Sequence, residues 1–286
     1  MIKVLIVGKN SYIGNSFFEY AASKNCENSH IHVNIVDSYN EWQETAFDGY
    51  DSVLFVAGIA HRKQTPQNKA LYYSVNRDLA LAVATKAKNN NVKQFIYLSS
   101  MSVYGIKEGE ITTHTAPEPR HNDYYGQSKY EAEILLSQDK QICEILSIIR
   151  PPMVYGAKCI GKFGDLVRLS KYMPILPNAK NKRSMIYIDN LSEFLYSLII
   201  HKSVGVFCPQ NAEYTNTSEL IKLIRKEQGK RILLTYGKIF MNLCAKIFPP
   251  IKTAFGTLYY TKELSTYQHI NYQHINLEDS VRRSIV

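Results

Sequence analysis

The first fourteen residues constrain the fold more than any other stretch. Ile2-Lys3-Val4-Leu5-Ile6-Val7 is a short apolar, β-branched run, suited to a parallel strand buried on both faces. It leads straight into Gly8-Lys9-Asn10-Ser11-Tyr12-Ile13-Gly14 and a helical segment reaching about Lys24. A strand, a glycine turn and a helix start make an anion site, because free backbone N–H groups and the helix dipole converge there. A second strand over Ile31–Val36 ends at Asp37, the distance expected of a carboxylate that bonds an adenosine ribose. Alone, the glycine loop is equally a plain strand–helix turn; with Asp37 it reads as nucleotide binding.

The alternation continues. A strand over 52–56 runs into Ala57-Gly58-Ile59-Ala60, a helix covers about 71–89, and strands follow at Gln94–Leu98 and Ile145–Ile149 around a helix over 124–136. Pro151-Pro152 stops the last strand, since proline cannot donate to a ladder. Repeated units of this size predict an α/β fold, a Rossmann-type doubly wound parallel sheet with helices on both faces. Gly8, Asp37, Ala57, Ser99 and Pro151 all fall at carboxyl ends of strands, where such sheets bind ligands. Past Pro152 the pattern loosens into a loop (156–164), a short helix (165–172), a Pro/Asn/Lys stretch (174–182), a strand (185–188), a helix (190–201) and an extended segment (204–208). Residues 1–152 read as the dinucleotide-binding domain, with 185–201 returning to it, and 153–286 as a smaller C-terminal substrate lobe.

Composition excludes several classes. The first apolar run is too short for a signal peptide, and no run spans a bilayer. Five cysteines (Cys26, Cys143, Cys159, Cys208, Cys244) lack metal-ligand spacing and read as reduced thiols of a cytoplasmic protein. The formal charge of +9 points to an anionic ligand or surface. Nucleic acid is set aside, because no basic helix or nucleic-acid module stands out. Residues 239–251, flanked by Lys238 and Lys252, suit either peripheral contact with an anionic membrane or a helix packed in the lobe or at a dimer contact. His61 and His114 lie near the predicted cleft without an assigned role.

The chemistry centres on Tyr125-Gly126-Gln127-Ser128-Lys129, preceded by Ser99, Ser100 and Ser102. A tyrosine and a lysine four apart on a helix share one face. An ammonium held that close is expected to lower the phenol's pKa and ready it for proton exchange, as carbonyl–alcohol chemistry requires. In a chain with 21 tyrosines the alternative is an exposed helical pair.

Together, Gly8-x-x-Ser11-x-x-Gly14, Asp37, Asn76, the stretch 98–105 and Tyr125-x-x-x-Lys129 resemble the extended short-chain dehydrogenase/reductase family, the NAD-dependent epimerase/dehydratase branch that modifies nucleotide sugars. The segments 150–156 (Arg-Pro-Pro-Met-Val-Tyr-Gly) and 183–189 (Arg-Ser-Met-Ile-Tyr-Ile-Asp) resemble two further signatures of that branch. The resemblance is nearest to capsule and O-antigen proteins that reduce a UDP-linked 4-keto-6-deoxy-N-acetylhexosamine, forming UDP-N-acetyl-fucosamine or its quinovosamine epimer. It implies Tyr125 as acid/base and Lys129 as holder of the nicotinamide ribose. Ser100 would bond the sugar C4 oxygen, with Ser102 nearby, and Met153 would face the substrate. The cofactor would lie along Gly8, Ser11, Tyr12, Ile13, Gly14, Asp37, Ala57, Gly58, Asn76, Ser99 and Pro151. Arg183 would grip the diphosphate, its alternative being a solvated member of the 180–183 charge run. A homodimer through the helices near 71–89 and 124–138 is implied by the same analogy. Three positions depart from the pattern: Ser11 replaces a glycine, Ala60 a lysine frequent in sugar epimerases, and Met153 an asparagine.

The resemblance argues against dehydration, since the related 4,6-dehydratases carry Asp-Glu where Met101-Ser102 stands, and methionine cannot shuttle protons. The resemblance favours NAD(P)H-dependent reduction of a C4 ketone. The alternative is a UDP-hexose or UDP-N-acetylhexosamine 4-epimerase using bound NAD. A non-catalytic dinucleotide sensor is the third reading, opposed by the presence of both Tyr125 and Lys129. NAD(H) is favoured over NADP(H), because Asp37 would repel a 2′-phosphate, although Lys9 in the same loop would attract one.

Overall fold

Strand β1 (Ile2–Val7) lies inside the sheet, and its last four residues are completely buried. In the computed structural model, residues 1–24, 30–60, 62–138, 142, 144–172, 175–231, 233–235 and 255–285 are described. The segment 239–251, weighed above as a membrane contact, lies outside them, as does His61. After β1 come α1 (Tyr12–Lys24), β2 (Ile31–Val36), α2 (Glu41–Glu44), β3 (Ser52–Phe55), α3 (Lys69–Tyr73), α4 (Leu79–Asn89), β4 (Gln94–Leu98) and β5 (Gly109–Ile111). The chain continues through α5 (Tyr124–Gln138), β6 (Ile145–Ile149), β7 (Met153–Tyr155), α6 (Lys162–Ser170), β8 (Ile175–Pro177), β9 (Met185–Tyr187), α7 (Ile188–Ile200) and β10 (Gly205–Phe207). Helix α8 (Thr217–Glu227), β11 (Leu233–Thr235), β12 (Leu258–Tyr260) and a C-terminal helix (Leu277–Ser284) complete it.

Six strands form one parallel sheet in the order β10-β6-β4-β3-β1-β2. Side chains alternate across it, so each strand feeds two cores. Val4, Ile6, Leu54, Ile96 and Ile149 meet Phe17 and Ala21 of α1 and Leu191, Phe194 and Leu198 of α7. Leu5, Val7, Phe55, Phe95 and Tyr97 meet Ala80, Val83, Ala84 and Ala87 of α4 and Ala132 and Leu136 of α5. The alanines let α4 approach the aromatic face of the sheet closely. The sequence pattern leaves 204–208 as an extended segment of the second half; in the fold 205–207 form the sixth strand, in parallel register with β6.

The helix expected over 71–89 is not uniform. Between α3 and α4 the turn Ser74–Asp78 is a π-helix, an insertion that re-aims side chains and recurs at functional sites. It buries Asn76 completely.

In the second half, β7 pairs with β9 and β8 with β11, while β12 pairs with β5 from the first half. Tyr155, Phe163, Met185 and Tyr187 pack with Leu220 and Ile224 of α8 and Val281 of the C-terminal helix. Among the described residues, no helix is long and apolar enough to cross a membrane.

Strand β2 lies to one side of β1, and the later sheet strands to the other. That reversal, between β1 and β3, opens a crevice at the carboxyl edge.

Candidate active site

At the crevice, the first turn is drawn tight by its backbone. Gly8 and Lys9 N–H both donate to Val36 O (2.9 and 3.0 Å), and Ser11 N–H donates to Gly8 O at 2.9 Å. Gly8 has φ of 132°, and a methyl group there would stand 2.8 Å from Ala57 N. A methyl on Gly14 would stand 2.8 Å from Val56 Cγ2. Ser11, the departure from glycine, serves as a helix cap: its Oγ accepts from Gly14 N at 3.3 Å. The two glycines let the turn pack closely on the end of β3 and lead into a capped helix N-terminus, the kind of position that suits a pyrophosphate. Tyr12 turns its ring away toward the second half, its hydroxyl buried, without a hydrogen bond, against Gly156. Ile13 packs between the sheet core and the Tyr155 cluster.

Asp37 follows β2 and organises the next turn. Its Oδ1 accepts from the backbone N–H groups of Tyr39, Asn40 and Glu41 at 2.8, 3.0 and 3.1 Å. Those bonds, that of Tyr39 foremost, hold its carboxyl below the usual range, with Lys9 adding to them. Glu41, which the sequence reading missed, accepts from Asp37 N at 2.9 Å and pairs with Lys9 at 3.3 Å. Both carboxylates thus sit at the carboxyl end of β2, and the Lys9 cation that argued for NADP(H) is engaged by Glu41.

After β3, the segment Ala57-Gly58-Ile59 is held from behind by Asn76, whose amide bonds both backbone groups of Ile59 and the Ser128 hydroxyl. Asn76 is a clamp for the loop after β3. A methyl on Gly58 would lie 3.1 Å from Asn76 Oδ1 and 3.2 Å from Lys129 Nζ, so this loop borders the lysine.

Strand β4 ends at Leu98, and Ser99 N–H reaches across to Ile149 O (2.7 Å). The 3₁₀ turn Met101–Tyr104 follows, capped by Ser100 Oγ, which accepts from Ser102 N at 3.1 Å. Pro151 O accepts from Met101 N (3.0 Å), so the end of β6 steadies this turn. Asp123 caps α5 by accepting from Gly126 N at 3.1 Å. Gln64 bridges the loop after β3 to this cap, donating to Asp123 Oδ1 (3.0 Å) and accepting from Tyr125 N (3.2 Å).

The helix so placed sets the Tyr125 phenol beside the Ser100 hydroxyl. Lys129 lies one turn along, its Nζ donating to Leu98 O at 2.8 Å and standing 4.8 Å from the Tyr97 ring centroid. The electrostatics differ from the sequence expectation. Burial pushes the Tyr125 phenol up, with the neighbouring Ser100 hydroxyl opposing and Asp123 and Tyr72 adding to it. Lys129 is instead driven down to about 7 by burial, against the pull of Glu133. The i,i+4 spacing makes the residues neighbours, but Lys129 directs its charge at a strand carbonyl, and desolvation dominates both groups.

Sequence reading missed one further group, which lies beside the expected Arg183. Lys162, on the first turn of α6, is pushed down by burial and by the guanidiniums of Arg183 and Arg120, with Asp123 opposing. Arg183 bridges Thr215 through its backbone and donates from Nη1 to Gly256 O (3.0 Å), while burial pushes its guanidinium down. Like charges gathered in this way suit an anion. Met153 opens β7 opposite Met185 and packs on the Tyr155 cluster. Lys162 carried no local signal, because it approaches Arg183 only through the tertiary fold.

A parallel sheet of this order, with serine, tyrosine and lysine gathered beside a glycine-turn cradle, defines the short-chain dehydrogenase/reductase class. Within that class the chain belongs to the NAD dependent epimerase/dehydratase family, whose model matches residues 4–206. It is 28% identical over 247 residues to N-acetyl-alpha-D-glucosaminyl-diphospho-ditrans,octacis-undecaprenol 4-epimerase of Escherichia coli O157:H7, covering 80% of this chain and 73% of that protein. It is 30% identical over 231 residues to UDP-glucose 4-epimerase of Vibrio cholerae, covering 75% of this chain and 67% of the relative. The fold is similar to that of the Bacillus cereus UDP-glucuronic acid 4-epimerase in complex with NAD, with a TM-score of 0.75 and 18% identity, covering 99% of this chain and 96% of that one.

Proposed function

We propose that this protein carries out NAD-dependent oxidation and reduction at C4 of a diphosphate-linked hexose, with 4-epimerisation as the net reaction. The observation that carries the reading is the Ser100 hydroxyl set beside the Tyr125 phenol, with Lys129 one turn along α5. Two neighbouring hydroxyls can share one sugar oxygen: Tyr125 takes or returns the proton on O4, and Ser100 holds that oxygen in place. Lys129 lies between this pair and the Gly58 loop, where it suits a ribose hydroxyl of the cofactor. The Gly8–Gly14 turn would hold the pyrophosphate and Asp37 the adenosine ribose. NAD, when bound, supplies hydride exchange with C4.

The substrate class is supported by Lys162 and Arg183, which fit a diphosphate, and by two curated relatives that are 4-epimerases of diphosphate-linked sugars. The sugar carrier is a nucleotide or a polyprenol. Both present the same diphosphate and hexose.

The second reading is reduction of a UDP-linked 4-keto-6-deoxy-N-acetylhexosamine. Two observations favour it. Burial keeps the Tyr125 phenol protonated, poised as an acid toward a ketone oxygen. The Lys9–Glu41 pair is about half exposed, which suits a cofactor that exchanges at each turnover.

One assay separates the readings. The purified protein is incubated with UDP-GlcNAc, UDP-glucose, undecaprenyl-diphospho-GlcNAc and a UDP-4-keto-6-deoxy-N-acetylhexosamine, each with NAD+, with NADH and with NADPH. C4 interconversion without cofactor consumption supports the epimerase, and the substrate converted identifies the carrier. Stoichiometric oxidation of NADH or NADPH by the keto sugar alone replaces it with the reductase.

A further inference from the structure

Beneath the Ser100–Tyr125–Lys129 set lies a charged group for which the proposed function has no use. Glu133 is four residues beyond Lys129 and eight beyond Tyr125, on the same face of α5, and it is 3% exposed. Its carboxylate accepts from Arg150 Nε at 3.1 Å to Oε1 and 3.2 Å to Oε2, and from Nη2 at 2.5 Å. Ser99 Oγ donates to the same carboxylate. Arg150 Nη1 donates to the Tyr104 hydroxyl at 2.9 Å, and Arg150 O accepts from the Tyr260 hydroxyl at 2.9 Å.

One carboxylate thereby joins three pieces of backbone. Ser99 follows β4 and precedes Ser100; Arg150 follows β6 and precedes Pro151, whose carbonyl holds Met101. The third piece is α5 itself. A buried ion pair adds little net stability, because desolvation offsets the attraction. This one, however, links the element that carries Tyr125 and Lys129 to the element that carries Ser100.

We propose that Glu133 is a positioning residue for the C4 chemistry: through Arg150 and Ser99 it fixes the turn that carries Ser100 against the helix that carries Tyr125, and its carboxylate acts on Lys129 one helical turn away. The inference rests on the roles given above to Ser100, Tyr125 and Lys129. The groups that bear on Lys129 are Glu133 on its own helix, Tyr97 and the Leu98 carbonyl on β4, and the neutral Asn76 amide behind Gly58. Among these, Glu133 supplies the negative charge.

Glu133→Gln keeps the shape and removes the charge. Because it strands the Arg150 guanidinium, the paired variant Glu133→Gln/Arg150→Met, which removes both charges, is made alongside it. Lysine ¹³Cε/¹⁵Nζ NMR, with the Lys129 signal identified by its loss in Lys129→Met, reads the lysine's titration without any substrate. In both variants the midpoint is expected to fall by about one pH unit. The alkaline limb of the kcat profile should move with it, while KM for the sugar stays within twofold. Glu133→Asp should restore the midpoint but not kcat, since the shorter side chain cannot span to Arg150 and Ser99. An unmoved midpoint and pH profile, with only Tm lowered, would overturn the proposal. Absence of turnover by the unaltered protein on every sugar would instead count against the C4 reading, and the NMR midpoint would still decide the role of Glu133.

Discussion

Asn76 grips Ile59 by both ends of its amide: Oδ1 accepts from Ile59 N at 2.9 Å, and Nδ2 donates to Ile59 O at 3.3 Å. The second amide hydrogen reaches Ser128 Oγ at 3.0 Å, and the Asn76 carbonyl takes the Tyr97 hydroxyl at 2.8 Å. One buried residue of the π-turn therefore ties the loop after β3 to α5 and β4. Asn76→Ala removes the side-chain partner of both Ile59 backbone groups, at a cost of about 1–3 kcal/mol each where unsatisfied, while the backbone bond to Tyr97 remains. Urea denaturation should show a loss of that order, and NAD titration should show weaker binding, because the Ala57–Ile59 loop is released.

Gly58 is the counterpart on that loop. A methyl there must displace Lys129 Nζ or the Asn76 amide, both buried and hydrogen-bonded. Gly58→Ala should lower kcat about tenfold, equivalent to about 1.4 kcal/mol in the barrier, with Tm nearly unchanged. A fall in Tm with kcat preserved would contradict it.

Lys129 gives the molecule a pH signature. Folding lowers its pKa from 10.5 to about 7, so between those values the unfolded chain binds the extra proton. Stability contributed by this site therefore rises with pH across that window, by about 2 kcal/mol between about pH 7.5 and 9. In Lys129→Met that slope is absent. Guanidinium denaturation of both proteins at the two pH values measures the difference; parallel slopes would refute it.

The Lys9–Glu41 pair offers a test of cofactor choice. Glu41 pairs with Lys9 and also accepts from Asp37 N, so Glu41→Gln frees the cation and loosens the carboxylate turn. The pair is exposed and weak, worth at most about 1 kcal/mol, so the ratio of NADH to NADPH dissociation constants should shift toward NADPH by at most about fivefold. Isothermal titration with both cofactors tests the direction.

Much of this site was legible in the chain because its signals are local. Gly8 and Gly14 mark a turn next to an apolar run, and Tyr125 and Lys129 share a helix face by spacing alone. Ser11 was legible as a departure, and its capping of Gly14 N explains why a serine suits that position. The electrostatics were not legible. Tyr125 and Lys129 lie close, yet burial outweighs their mutual influence, and burial depends on everything packed around them.

By itself, the sequence determined the alternation of strands and helices, the residues at each strand's carboxyl end and the face shared by Tyr125 and Lys129. Each of these follows from backbone geometry over a few residues, where period, turn chemistry and spacing act directly. Only the tertiary structure decided that residues 205–207 close the sheet's edge, that Asn76 clamps Ile59, that Glu133 meets Arg150, and that Lys162 comes up beside Arg183. Those partners are chosen by which surfaces the packed helices and strands bring together, and the desolvation that sets their charges arises only once they are enclosed.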